Sequence, residues 1–140
     1  MKTGIILLFF NDEKEITENY FKVFLNNRAS NFCFVNNASK DKTLDKLKEI
    51  KKFNYKNISI IDIKRNKGKN AAIKAGVRYL KNNEDFNSIV YFEFSKYRKH
   101  KNPEHLLQCI DDNKKVINII SKASNRKILK NVFSLEEIIK

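Results

Sequence analysis

The chain has no tryptophan, one proline, three glycines and two cysteines in 140 residues. So little glycine and proline excludes a collagenous or low-complexity chain and leaves regular elements few places to break. Cys33 lies in an apolar run and Cys109 on a predicted helix face, with no CxxC or His-rich spacing around either. That excludes a disulfide framework or a zinc ribbon and points to free thiols in a reducing compartment. Acidic residues are scarce too: 16 Asp and Glu stand against 29 Lys and Arg, a net charge of +13 that favours a phosphorylated ligand, nucleic acid or anionic lipid as partner. The lysines are spread over every predicted helix, so a general bias towards Lys, Asn and Ile accounts for the excess as well as a binding footprint does. Long apolar runs are missing. The longest early one, 5–10, stops at Asn11-Asp12-Glu13, too short for a signal sequence or a membrane span. The chain is expected in the cytoplasm, with peripheral contact to a membrane surface only through its charge.

What is present is the composition of a core. Hydrophobic residues make up 41% of the chain, with 11 Phe among them, enough for one folded domain over residues 1–140 and too little length for a second. The unbroken apolar run 5–10 reads as a strand buried on both faces, and 13–27 as a helix with Ile16, Tyr20, Val23 and Phe24 on one stripe. A second strand at 32–35 precedes a helix for which Ser39 is the expected cap, Asp41 falls in the first turn, and Leu44, Leu47 and Ile50 face inward. A third strand, 58–63, leads through the basic loop 64–70 to a helix with small residues at 71, 72, 75 and 76. A fourth strand is expected at 88–94, then a helix from Asn102-Pro103 to about Asp112, a fifth strand at 116–120, and a last helix with Ser134 and Glu137 as capping box. Strands alternating with helices predict an α/β domain of three layers, a mostly parallel sheet covered on both faces, with ligands bound beyond the carboxyl ends of the strands. The residues at those ends are polar: Asn11 and Asp12, Asn36 and Asn37, Arg65 and Asn66, Glu93 and Ser95.

Three segments carry motifs. The first is ILLFFNDEKEI at the end of strand one; the second is VNNASKDKT, residues 35–43; the third is NKGKNAAIKAG, residues 66–76. In this order and spacing they resemble family 2 glycosyltransferases of the GT-A fold, over about residues 3–120. The resemblance implies a Rossmann-like nucleotide-binding half and a UDP- or GDP-type nucleotide-sugar as ligand. Nucleotide-sugar contacts are implied for Asn11, Asp12, Asn36, Asn37, Asn66, Gly68, Lys69 and Glu93, with Asp12 and Asn36 beside the nucleobase and ribose. The chemistry at the third motif agrees, since Gly68 allows close backbone approach just before a helix N-terminus, where N–H groups and cationic Lys67, Lys69 and Arg65 favour a phosphate. A tight turn with solvated lysines reads the same residues without a ligand, and Asn36 equally fits a turn-stabilising role.

After strand four the family places Asp-x-Asp, whereas this chain has Glu93-Phe94-Ser95. The resemblance implies Mg²⁺ or Mn²⁺ there, with Glu93 and Ser95 as the metal ligands. A neutral hydroxyl in place of a carboxylate weakens that site. Lys96, Arg98 and Lys99 offer a metal-free alternative by neutralising the leaving diphosphate. The acceptor-side region of the family is expected to be largely absent, and Glu136 and Glu137 read as capping or solvated residues, so no general base stands out. His100 and His105 are isolated, and no Walker pattern surrounds Gly68-Lys69. Three readings follow: a nucleotide-sugar transferase domain, a non-catalytic degenerate fragment of one, and a basic anion- or nucleic-acid-binding module, with nucleic acid ranking behind the nucleotide-sugar.

Overall fold

A computed structural model describes residues 3–18, 20–22, 30–52, 57–83, 86, 88–97 and 132–135. Its centre is β1, Thr3–Phe9, whose seven residues are all buried. Successive side chains point to opposite faces, so a strand with no polar alternation needs cover on both sides. Hydrogen bonding places it between β2, Ser30–Asn37, and β4, Ser88–Glu93; β3, Ile58–Ile63, lies outside β2 and β5, Val132–Ser134, outside β4. The order is β3-β2-β1-β4-β5 and every pairing is parallel.

One face of the sheet carries a phenylalanine core. Phe9 lies 5.0 Å from Phe94 and 5.4 Å from Phe34 between ring centroids, and Phe21 lies 5.5 Å from Phe94. Leu47 and Ile50, on the inward side of α1 (Thr43–Lys51), close this cluster together with Ile16. On the opposite face Ile6, Leu8, Cys33 and Val35 meet Ala72, Ile73, Val77 and Leu80 of α2 (Lys69–Asn83). Helices therefore flank both faces, and the three-layer α/β/α arrangement holds. The small residues of α2 set the spacing: a Cβ placed on Gly76 would stand 3.0 Å from Ile6 Cδ1 and 3.2 Å from Ile6 Cγ2. Helix and sheet touch there at backbone distance.

Three local expectations need correction. The helix over 13–27 is broken: Glu13–Glu15 form a single 3₁₀ turn, and Ile16 is extended at φ −84° and ψ 112°. Beyond the break Ile16, Tyr20 and Phe21 still pack on the same cluster. Val23 and Phe24 lie outside the described residues. Ser39 is not the cap of α1, whose flanking residue is Lys42 with no side-chain cap bond; the Ser39 hydroxyl is engaged elsewhere, as described below. The strand that pairs with β4 is Val132–Ser134, in the segment read as leading into the last helix. Ser134 closes that strand directly before helical Leu135. The segment 116–120, the helix from Asn102, and Glu137 lie outside the described residues. A short α3, Phe94–Tyr97, follows β4.

Two predictions follow from this packing. Gly76→Val should lower stability by about 1–3 kcal/mol through overpacking against Ile6, read as a lower urea midpoint with an unchanged slope. Burial pushes the Cys33 thiol from its ordinary 9.0 up to about 12, and the Tyr20 phenol from 10.0 up to about 12. The unfolded chain releases these protons first, so stability should fall as pH rises from about 9 towards 12, and Cys33→Ala should flatten the early part of that decline in thermal melts.

Candidate functional site

Because all five strands run parallel, their carboxyl ends emerge along one edge. From β1 the chain steps outward to β2 and β3, then returns through α2 to β4 on the other side of β1. The reversal makes the gap between β1 and β4 the topological switch point, where loops diverge and leave a crevice. Register aligns the strand ends: Phe9 with Asn36, Asn36 with Asp62, and Leu8 with Glu93. Neighbouring strands stand about 4.8 Å apart, so Asn36 and Glu93, one strand to either side of β1, are separated by roughly 10 Å.

On the β2 side the loops after β1 and β2 are stitched to each other. Asn11 adopts a left-handed backbone at φ 52° and Ala38 at φ 57°, turning both loops sharply over the strand ends. The Asn11 N–H donates to Ser39 Oγ at 2.9 Å, and the Lys40 N–H donates back to Asn11 Oδ1 at 2.8 Å. Asp12 N–H donates to Thr43 Oγ1 at 2.8 Å, and that hydroxyl donates to Asp41 Oδ1 at 2.5 Å. Glu13 and Lys42 complete the seam, the Glu13 N–H reaching Asp41 Oδ2 at 3.2 Å and the Lys42 N–H reaching Glu13 Oε1 at 2.8 Å. Slight desolvation acts upward on the Asp41 carboxyl, but the bonds from the Thr43 hydroxyl and N–H and the Glu13 N–H outweigh it and hold the group below the usual carboxylate range.

A one-way chain of donors runs beneath this seam. The Ser39 oxygen accepts from Asn11, so its proton goes to Asn36 Oδ1 at 2.6 Å. Asn36 Nδ2 in turn donates to Asp62 Oδ1 at 3.0 Å. A carboxylate only accepts, which fixes the orientation of the Asn36 amide. Lys64 pairs with Asp62, and this bond first, with that from Asn36, keeps the Asp62 carboxyl below its ordinary value against the opposing desolvation.

On the β4 side the turn into α2 dominates. Gly68 has φ 100°, a conformation that disfavours any side chain, and its N–H donates to Asn66 Oδ1 at 2.8 Å. Its carbonyl accepts the first helical bond, from Ala72 N–H at 3.3 Å. The first turn of α2 contains no acidic residue and begins with Lys69. Lys69 Nζ lies 3.3 Å from Glu93 Oε1, at the end of β4.

The residues expected at the site thus gather on one edge, but at two depths. Asp12 and Asn36 are 4% and 2% exposed, with Asp12 Oδ2 turned back onto the Phe10 N–H at 2.9 Å; they form the floor. Asn11, Asn66, Gly68, Lys69 and Lys96 are exposed, and Asn37 and Glu93 half-buried. Asn37 Oδ1 itself is buried without a hydrogen-bond donor. Arg98 and Lys99 lie outside the described residues. The residue that sequence reasoning missed is Phe10, assigned there to the buried strand but 49% exposed at the tip of β1. Its signal was the polar Asn11-Asp12 that follows, which ends the strand one residue earlier. The larger described grooves, of about 530 and 580 Å³, lie along the outer face of α1 among Lys46, Glu49 and Lys52, whereas a crevice of only about 20 Å³ lies beside Lys69, Glu93, Lys96 and Ser134. Bound at this edge, a ligand would rest in an open cleft.

Metal donors are poorly represented. Among the described residues no three His, Cys, Asp or Glu side chains converge to hold an ion. Glu93 is joined to an ammonium, and Ser95 is a neutral, exposed hydroxyl on α3. Mg²⁺ and Mn²⁺ favour charged oxygen donors in near-octahedral sets, and these residues do not fit such an ion.

A parallel, doubly covered sheet with a glycine turn and a helix N-terminus at its switch point defines a Rossmann-like α/β domain. The sequence profile described as Glycosyl transferase family 2 matches residues 4–92, from β1 through nearly all of β4, and the chain belongs to that family. No curated protein matches the chain. No helix among the described residues is long and apolar enough to cross a membrane.

Thr43 joins the two halves of the seam, so Thr43→Val should leave the buried Asp12 N–H without an acceptor and cost about 1–3 kcal/mol, measured by equilibrium denaturation. A variant as stable as the parent would show that the seam contributes little.

Proposed function

We propose that the carboxyl edge of this sheet binds a nucleoside diphosphate-sugar of UDP or GDP type, and that the chain serves a glycosyl transfer reaction as its donor-binding domain. The observation that carries the reading is the basic turn at the start of α2. A lysine on the first residue of a helix opposes the helix dipole, at a cost of about 0.3–1 kcal/mol; no acidic residue lies in that turn, and the carboxylate that faces the ammonium, Glu93, comes from the end of β4 and is half-exposed. Arg65, Lys67 and Lys69 around Gly68 make sense together when a diphosphate arrives at the free N–H groups of that turn.

Phe10 supplies the second element. Its half-exposed ring at the centre of the edge offers a face for a nucleobase, an interaction worth about 1–3 kcal/mol per base. In this reading the Asn37 oxygen, buried without a donor, is the acceptor offered to the base edge, and such a bond would relieve the cost of leaving that oxygen unmet. Asp12 and Asn36 then act from below: Asp12 holds the Phe10 backbone, and Asn36, locked by Asp62, holds Ser39 and through it Asn11. Asn66 shapes the glycine turn, and Lys96 adds charge on the far side of Glu93.

A donor-binding chain without catalysis is the second reading, favoured by the ion pair that engages Glu93 and by the neutral Ser95. Thermal-shift titration with UDP, GDP and their sugars tests the proposal, because a ligand of the folded state raises the melting temperature by mass action. Stabilisation is expected, with affinity reduced about tenfold in Phe10→Ala. Stabilisation without sugar transfer selects the second reading. Steeply salt-dependent binding of single-stranded RNA, with no response to any nucleotide, would sink both and leave a nucleic-acid module.

A further inference from the structure

The Lys69–Glu93 pair joins the start of α2 to the end of β4. Lys69 stands on the first residue of a 15-residue helix, directly after the left-handed Gly68. Glu93 comes from the neighbouring strand end and meets the ammonium at 3.3 Å, with side chains 48% and 36% exposed respectively. Lys96, one helical turn beyond Glu93 and on the same crevice wall, brings a second positive charge. The other carboxylates described in the seam and floor of this edge are committed elsewhere: Asp12 to the Phe10 N–H, Glu13 to the Lys42 N–H, Asp41 to Thr43 and Glu13, and Asp62 to Lys64 and Asn36. A divalent ion on Glu93 would therefore have to evict Lys69 and, among the described residues, would find no second carboxylate to complete its shell.

We propose that Lys69 is the resident cation of this edge, and that a nucleoside diphosphate binds here without a divalent metal. The inference rests on the nucleotide reading above and deepens it. Glu93 is then a positioning residue, holding the Lys69 side chain across the mouth of the α2 N-terminus so that its charge adds to that of the helix. Two lysines, Lys69 and Lys96, together supply the charge that one divalent ion would bring. An ammonium also needs no fixed coordination shell, which suits an edge where the carboxylate it meets, Glu93, is half-exposed.

Isothermal titration of the full chain with UDP and GDP, once in EDTA and once with excess Mn²⁺, tests this directly. The expected dissociation constants agree within about twofold in the two media. Lys69→Gln should weaken binding by about tenfold or more in both, as for loss of a charge-assisted hydrogen bond, while Lys69→Arg keeps most of the affinity. The urea midpoints of the variants separate a binding defect from misfolding, and the metal response of the parent chain stands whether or not Lys69→Gln folds. Binding that appears only with Mn²⁺ would overturn the inference and leave the nucleotide reading intact, as would Mn²⁺ seen bound by electron paramagnetic resonance and lost in Glu93→Gln. Failure to bind in either medium refutes the nucleotide reading and this inference with it.

Discussion

Parallel pairing of β1 with both β2 and β4 is the constraint from which the rest follows. A strand hydrogen-bonded on both sides and covered on both faces must be apolar throughout, and the sequence of β1 complies from Ile5 to Phe9. Parallel partners cannot be joined by tight turns, so each step between strands requires a crossover, and the crossovers deliver the helices to the two faces. The same geometry sends every strand end to one edge. Polar side chains can gather there without disturbing either core, since the two hydrophobic clusters end below them.

Within that edge two kinds of order serve different purposes. The β2 side is held by directional hydrogen bonds between loops, with acceptor-only carboxylates at both ends of the network. The β4 side is held by one glycine turn and an ion pair between half-exposed side chains. An ion pair open to water adds little to stability, typically below about 1 kcal/mol, and its charges can exchange partners at little cost. In the proposed reading the firm half would meet the rigid ring of the nucleotide, and the yielding half its flexible, multiply charged diphosphate.

Most of the sheet was legible in the sequence, because an apolar run such as 5–10 or 58–63 has few other stable fates. The glycine turn was legible for the same reason: Gly68 before a run of small residues at helical spacing leaves little choice of backbone. What escaped was decided by tertiary packing. Periodicity carried the first helix straight through Ile16, where the backbone is extended after a single 3₁₀ turn, and it left Phe21 off the inward stripe although the core takes it in. Ser39 has the chemistry of a cap, but its hydroxyl is taken up between Asn36 Oδ1, three residues back, and the Asn11 N–H, 28 residues away, and the second of these is a partner that local pattern cannot register. Asp62 was read only as part of a buried strand, and its bond to Asn36 depends on the lateral register of β3 against β2.

The left-handed backbone at Asn11 and Ala38 has a consequence for how a ligand is met. Such a conformation is costly for a residue with a Cβ, on the order of 1 kcal/mol, and at Asn11 the bonds to Ser39 and Lys40 hold it. A loop already held in its working shape loses little freedom when a guest arrives. Under the proposed nucleotide reading, the β2 side would act as a template fixed before the encounter, leaving the adjustment to the lysine-bearing side.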